Sequence, residues 1–283
     1  MPKKILITGA TDGIGLATAR VLVSQGHHVL IHGRNPSKLK TAEEELSTLP
    51  GSNIVESYVA DLSRMGDVEA LAQAVRAKHS GLDVLINNAG VFSTSEPITA
   101  DGLDVRFVVN AIAPYLLTQQ LLPLMGTSGR VVNLSSAAQA PVNLKAFAGK
   151  VNLSDGSAYA QSKLALTMWS RSLALALKGN GPAVIAVNPG SMLGSKMVKQ
   201  AFGVAGGDIQ IGADILTRAA LSDEFSTASG QYFDNDSGQF ASPHPDALNP
   251  HKAEEVVGVI KAILADIVNS DNKPGETSSQ QPR

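Results

Sequence analysis

Cysteine is absent from the chain. That removes disulfides, thiolate zinc sites and cysteine nucleophiles together, and it fits a reducing compartment, with a cytoplasmic location as the expectation. Aromatic residues are scarce: seven Phe, four Tyr and one Trp in 283 residues leave few stacking platforms for nucleic-acid bases. Charge of one sign is not concentrated either. The 23 Lys and Arg against 25 Asp and Glu give a net charge of −2, so binding to a nucleic-acid backbone by counterion release is not expected. No apolar run reads as long enough for a membrane span, and Ile5–Thr8, broken at once by Gly9, is too short for a signal-peptide core. The six histidines (His27, His28, His32, His79, His244 and His251) show no metal-like spacing with carboxylates. They read as surface or helix-end residues, and no metal is expected. A Ser-His-Asp hydrolase would need a G-x-S-x-G elbow, which is missing.

What is present is alternation. Short β-branched runs at Ile5–Thr8, His28–His32, Val55–Ala60, Val84–Asn87, Arg130–Leu134 and Ala183–Asn188 are separated by helical patterns. The helices are expected over Ile14–Gln25, Pro36–Thr48, Met65–His79, Val105–Met125 and Ser157–Leu177. Strands apolar throughout and spaced by helices predict a parallel sheet covered on both faces, a single-domain doubly wound α/β (Rossmann) fold. It should occupy residues 1–268. Within it, residues 190–210, with Gly194, Gly203, Gly206 and Gly207, read as a mobile substrate loop. Residues 269–283 are polar and read as a disordered tail.

The first strand runs into Thr8-Gly9-Ala10-Thr11-Asp12-Gly13-Ile14-Gly15 and then a helix. Missing Cβ atoms let a backbone approach a pyrophosphate, and a helix N-terminus offers unpaired N–H groups to the anion. The second strand ends His32-Gly33-Arg34-Asn35, without the carboxylate that would bind the adenosine ribose hydroxyls and repel a 2′-phosphate. Arg34 carries a donor fork suited to phosphate, which predicts NADP(H) rather than NAD; a solvated loop arginine is the competing reading. Asp61, followed by Leu62, ends the third strand. Its carboxylate can accept from an adenine amino group or cap the helix that begins near Ser63.

Tyr159 and Lys163 are four residues apart in an expected helix, hence on one face. A nearby ammonium favours a phenolate and lowers its pKa. An isolated Y-x-x-x-K is more simply a core tyrosine with a snorkelling lysine. Here it follows, in order, the glycine turn, Asn87-Asn88-Ala89-Gly90, Asn110 and Ser135-Ser136, and it precedes Asn188-Pro189-Gly190. With these motifs the chain resembles the short-chain dehydrogenase/reductase family over about residues 3–265. Arg106–Asn110, Tyr115–Thr118, Gly129–Ser136 and Gly230–Phe233 make it similar to the branch that holds retinol dehydrogenases and WW-domain oxidoreductases.

The resemblance implies Tyr159 as general acid or base and Lys163 as the residue that tunes it and binds the nicotinamide ribose. It implies Ser136, rather than Ser135, as donor to the substrate oxygen, and Asn110 as holder of a relay water. Asn88, Ala89 and Gly90 would pass the adenosine-side ribose, and Pro189 and Gly190 the nicotinamide. Ser191 or Ser195 would stand where a threonine often holds the carboxamide. Residues 137–156, a longer spacer than is common, would cover the substrate end of the cleft. Asp12 stands where many NADP-preferring members carry a basic residue. The expected function is hydride transfer between NADP(H) and an alcohol or carbonyl on a small or medium apolar substrate. The rival is a non-catalytic NADP(H)-binding sensor or interaction module. Leu164–Leu177 is apolar on nearly all sides and needs two buried faces. One is the sheet; the other is a partner helix in a homodimer or homotetramer, or the chain's own C-terminal segment.

Overall fold

The computed structural model describes residues 1–52 and 54–271. Among them, eight strands form one sheet in the order β3-β2-β1-β4-β5-β6-β7-β8. These are β1 (Lys4–Ile7), β2 (His28–Gly33), β3 (Val55–Val59), β4 (Val84–Asn87), β5 (Arg130–Leu134), β6 (Ala183–Asn188), β7 (Tyr232–Asp234) and β8 (Gln239–Ala241). All neighbours pair parallel except β8, which runs antiparallel to β7. The strand order reverses between β1 and β4, and ligands of such sheets bind beyond the carboxyl ends at that switch point.

The period-2 alternation of a strand explains why both faces are apolar. Leu6, Leu30, Leu85, Val131 and Val184 point into one core, with α3 (Met65–Lys78), α5 (Ala113–Leu121), α7 (Asp155–Leu177) and α10 (Pro250–Asp271). Ile5, Ile7, Val29, Ile31, Ile86, Val132 and Ile185 point into the other, with α1 (Gly13–Ser24), α2 (Pro36–Ser47) and α9 (Gln210–Leu221). These side chains are fully buried, and each contributes about 1.5–3 kcal/mol relative to exposure. Polar atoms inside the first layer are joined to one another. Asn87 Nδ2 donates to Asn133 Oδ1 (2.7 Å) and Thr118 Oγ1 (3.1 Å), and Asn133 Nδ2 donates to Ser170 Oγ (2.7 Å).

Several elements depart from the sequence reading. The stretch Val105–Leu124 is long and apolar enough by length and composition to cross a bilayer, contrary to expectation. It is the core helix of this fold and mostly buried: α4 (Val105–Phe107), a π-helical turn at Val108–Ile112, then α5. Residues 190–210 are not all loop, for α8 (Lys196–Phe202) lies within them, with Ser195 Oγ accepting from Val198 N–H at its start. The spacer at 137–156 contributes to the core. Its α6 (Leu144–Phe147) turns Ala146 and Phe147 into the core, with the Phe147 ring 4.8 Å from that of Phe107. α10 packs against α6 and against α7, so the second face of α7 is covered by the chain's own C-terminal segment. α10 reaches Asp271, three residues into the stretch read as a tail, and residues 272–283 lie outside the described residues.

Candidate active site

The glycine turn closes against the end of β4. Gly9 and Gly13 have φ of +66° and +59°, which favours glycine. A methyl group at Gly9 would lie 2.8 Å from Ala89 Cα, and one at Gly15 2.3 Å from Gly9 O. Asn88 ties the two segments: its Nδ2 donates to Thr8 O and Gly9 O, both at 2.9 Å. Thr8 Oγ1 accepts from Asn88 N–H and Ala89 N–H. Asp12 precedes α1 in extended conformation and its side chain makes no capping bond, so no side chain caps the first turn of α1. Thr11 packs beneath Gly33, where a methyl group would meet Thr11 Cγ2 at 2.4 Å.

His32 was read as a surface residue, and the structure corrects this. It is buried; Nδ1 accepts from Gly9 N–H (3.2 Å), so Nε2 carries the proton and donates to Ala60 O (3.0 Å). Burial pushes its pKa down to about 4, so a neutral imidazole bolts the glycine turn to β2 and β3. The readable signal was its place in a strand buried on both faces. Arg34 is exposed just past β2, and no described residue pairs with its side chain. Asp61 Oδ1 accepts from Ser63 N–H and Ser63 Oγ in a tight turn ahead of α3, whose N-cap is Arg64 and carries no side-chain capping bond. Leu62 is buried in the core.

At the other side, Tyr159 lies near the start of α7, whose N-terminus is held from three directions. Ser154 Oγ accepts from Ser157 N–H. The Arg106 guanidinium, itself buried, binds Asp155 and grips Asp104 at 2.6 and 2.8 Å, and Ser93 Oγ donates to Asp155 Oδ2. The Phe92 ring lies 4.9 Å from the Tyr159 ring. Burial raises the Tyr159 pKa, and a hydrogen bond with Ser136 opposes the rise. Ser135 points elsewhere: it is buried and bonded to Thr167 Oγ1 at 2.7 Å. Lys163 lies one turn further along α7. Its Nζ stands 5.6 Å from the Tyr159 ring centroid and donates to Leu134 O at 2.7 Å. Burial brings the lysine's own pKa down to about 8.

Asn110 falls inside the π-helical turn, a distortion common at functional sites. Its Nδ2 donates to Val91 O and Ser162 Oγ, and its Oδ1 accepts from Val91 N–H. A methyl group at Gly90 would lie 3.4 Å from Asn110 Oδ1, 3.7 Å from Lys163 Nζ and 3.7 Å from Met197 Cε. Asn110 and Lys163 therefore lie beside Gly90, just past β4, and Tyr159 joins them through the approach of Lys163 Nζ to its ring and its hydrogen bond with Ser136.

The sequence reading missed a clamp on the loop after β6. Asp236, in the β7–β8 turn, accepts from Ser191 N–H (2.7 Å), Ser191 Oγ (2.5 Å) and Asn188 Nδ2 (2.9 Å). Asn235 Nδ2 donates to Pro189 O (2.9 Å). Pro189 is buried and Gly190 takes φ of +122°. Ser191 is thus held by the clamp, while Ser195 serves α8.

A family model described as short chain dehydrogenase matches residues 3–203. The chain belongs to that family. Retinol dehydrogenase 12 of Bos taurus is 34% identical over 275 residues, which cover 93% of this chain and 86% of that one. The crystal structure of an uncharacterized protein from Mycobacterium paratuberculosis superposes with a TM-score of 0.77 at 26% identity, covering 93% of both chains. A metagenomic short-chain oxidoreductase in complex with NADP superposes with a TM-score of 0.59 at 32% identity, covering 76% of this chain and 89% of that one. The family uses NAD(P)(H), and the residues here fit such a dinucleotide. Gly9 and Gly15 leave space that side chains would fill, α1 has an uncapped N-terminus, and Arg34 stands unpaired among the described residues at the end of β2.

Proposed function

We propose that this oxidoreductase uses NADP(H) to interconvert an alcohol and a carbonyl on a small or medium apolar substrate, with Tyr159 as proton donor when the carbonyl is reduced. The observation that carries the reading is the linked set of Tyr159, Ser136, Lys163 and Asn110, with Lys163 and Asn110 beside Gly90. The turn Gly9, Thr11, Asp12, Gly13, Ile14 and Gly15 would hold the pyrophosphate. Arg34 would take the 2′-phosphate, Asp61 and Leu62 the adenine, and Asn88, Ala89 and Gly90 the adjoining ribose. Lys163 would hold the nicotinamide ribose, and Pro189 and Gly190 the ring. When bound, the nicotinamide supplies or accepts the hydride.

The chain's own residues handle the oxygen and its proton. Ser136 Oγ and Tyr159 Oη form a pair of donors to the carbonyl oxygen, where negative charge develops. A phenol whose pKa burial raises keeps its proton at neutral pH and gives it to an alkoxide, which suits carbonyl reduction. Lys163, with a pKa near 8, can take up and release a proton close to neutral pH and resupply the phenol. Asn110 fixes the loop at Val91 beside it. Exposed Met192 and the Met197 methyl near Gly90 support an apolar substrate, as does the resemblance to a retinol dehydrogenase.

The test is a panel of polyene, aliphatic and polar carbonyls and alcohols, followed at the reduced nicotinamide absorbance with NADPH and with NADH. Turnover of apolar aldehydes with NADPH preferred is expected. Preference for NADH would refute the role of Arg34, and NADPH binding without turnover of any member would favour the non-catalytic module.

A further inference from the structure

We propose that His28, Glu56 and His79 form a binding site for one divalent transition-metal ion of the Zn2+ class, at the amino-terminal edge of the sheet and remote from the candidate active site. The proposal is independent of the oxidoreductase reading.

The topology explains why these residues converge. β2 and β3 pair in register with Leu30 opposite Glu56 and His32 opposite Tyr58. By the two-residue alternation of strands, His28, Leu30, Glu56 and Tyr58 share one face. Leu30 and Tyr58 belong to the core that includes α3. His79 ends α3 and brings its ring down on that same face, 5.5 Å from the His28 ring and at 76° to it.

Among the described residues, this is the one group of His, Asp and Glu side chains whose three ligand atoms all lie within 4.8 Å of one another. His28 Nε2 is 2.7 Å from Glu56 Oε1, and His79 Nε2 is 3.4 Å from Glu56 Oε2. Two imidazole nitrogens and a carboxylate oxygen suit Zn2+, and bonds of about 2.1 Å at tetrahedral angles separate the donor atoms by about 3.4 Å. The Glu56–His79 pair already has that spacing. His28 faces Oε1 and His79 faces Oε2, so one ion is held when the Glu56 carboxylate turns until one oxygen serves both histidines or binds through both oxygens, and the ion then replaces the proton shared between His28 and Glu56.

Tyr58 Oη lies 3.0 Å from Glu56 Oε2 and 3.1 Å from His79 Nε2, so it orients both ligands and can retreat to the carboxylate alone. The competing cation is Lys78, whose Nζ is 3.5 Å from Glu56 Oε2 on a side chain 64% exposed, free to swing into water. A surface cleft lined by Pro2, Lys3, Lys4, Ile54 and Asp83 reaches His28. A bound ion would clip β2, β3 and the end of α3 together.

The test uses the full chain, without a histidine tag and freed of metal by chelation, titrated with Zn2+ in a calorimeter and with Co2+ by visible absorption. One saturable equivalent is expected, with the tetrahedral Co2+ spectrum and a higher Tm. Binding should weaken by at least about tenfold in His28→Gln and in His79→Gln, and stay unchanged in His251→Gln, where an exposed histidine pairs with Glu255. His28 lies at the outer edge of β2, so His28→Gln decides the matter if His79→Gln does not fold. No saturable binding, or equal binding in the wild type and a folded His28→Gln, would overturn the proposal.

Discussion

Replacing Lys163 by Met should remove activity and, at neutral pH, strengthen the fold. The lysine is buried and its pKa falls from 10.5 to about 8. Below pH 8 it is protonated in both folded and unfolded chains, and the folded protein carries the full desolvation penalty. That gap corresponds to about 3 kcal/mol. Between pH 8 and 10.5 the folded lysine is neutral while the unfolded one still binds a proton, so wild-type stability rises by that amount. Methionine fills much of the same volume and never ionises. It also gives up the bond from Nζ to Leu134 O, which contributes about 1.5–3 kcal/mol with a charged donor and about 1 kcal/mol with a neutral one. The variant is therefore expected to be more stable than wild type by about 1 kcal/mol at pH 7, and less stable by about 2 kcal/mol above pH 10, a swing equal to that gap of about 3 kcal/mol. Urea unfolding of both proteins, followed by circular dichroism at intervals from pH 7 to 10, measures the difference with all other titrations cancelled. A difference that does not change with pH would refute the reasoning, because it would place the lysine's folded pKa at its ordinary value.

Two further predictions concern parts of the site that hold others in place. His32 titrates near 4 when folded and 6.5 when unfolded, so its stability contribution is complete above pH 6.5. It is lost as pH falls towards 4, by up to about 3 kcal/mol; His32→Gln should flatten that slope in urea unfolding curves, and parallel profiles for the two proteins would contradict it. Asp236 receives three hydrogen bonds from Asn188 and Ser191. Asp236→Ala should raise KM for NADPH by roughly tenfold or more, with a smaller change in kcat, and steady-state kinetics showing an unchanged KM would remove the clamp from the account.

The parts that could be read from sequence are those governed by local rules. β1, β2, β4, β5 and β6 are short runs buried on both faces, and α2 begins at Pro36 after Asn35, whose side chain accepts from Lys38 N–H. The glycine turn and the Tyr159–Lys163 spacing are likewise local patterns. What escaped depends on distant partners. β7 and β8 have three residues each, too few for a period to register, and their turn acts on a loop more than 40 residues away. α8 lies in a glycine-containing stretch that hides it. His28, Glu56 and His79 have no telling spacing, because strand pairing and the end of a helix bring them together.

The most direct test of the central claim is single-turnover reduction of an apolar aldehyde by Tyr159→Phe, loaded with NADPH at a concentration shown by fluorescence to saturate it. The phenol's proton is assigned to the developing alcohol, so NADPH should bind as in wild type while the rate of its oxidation falls by at least about a hundredfold. Oxidation at the wild-type rate in the folded variant would show that the proton comes from elsewhere.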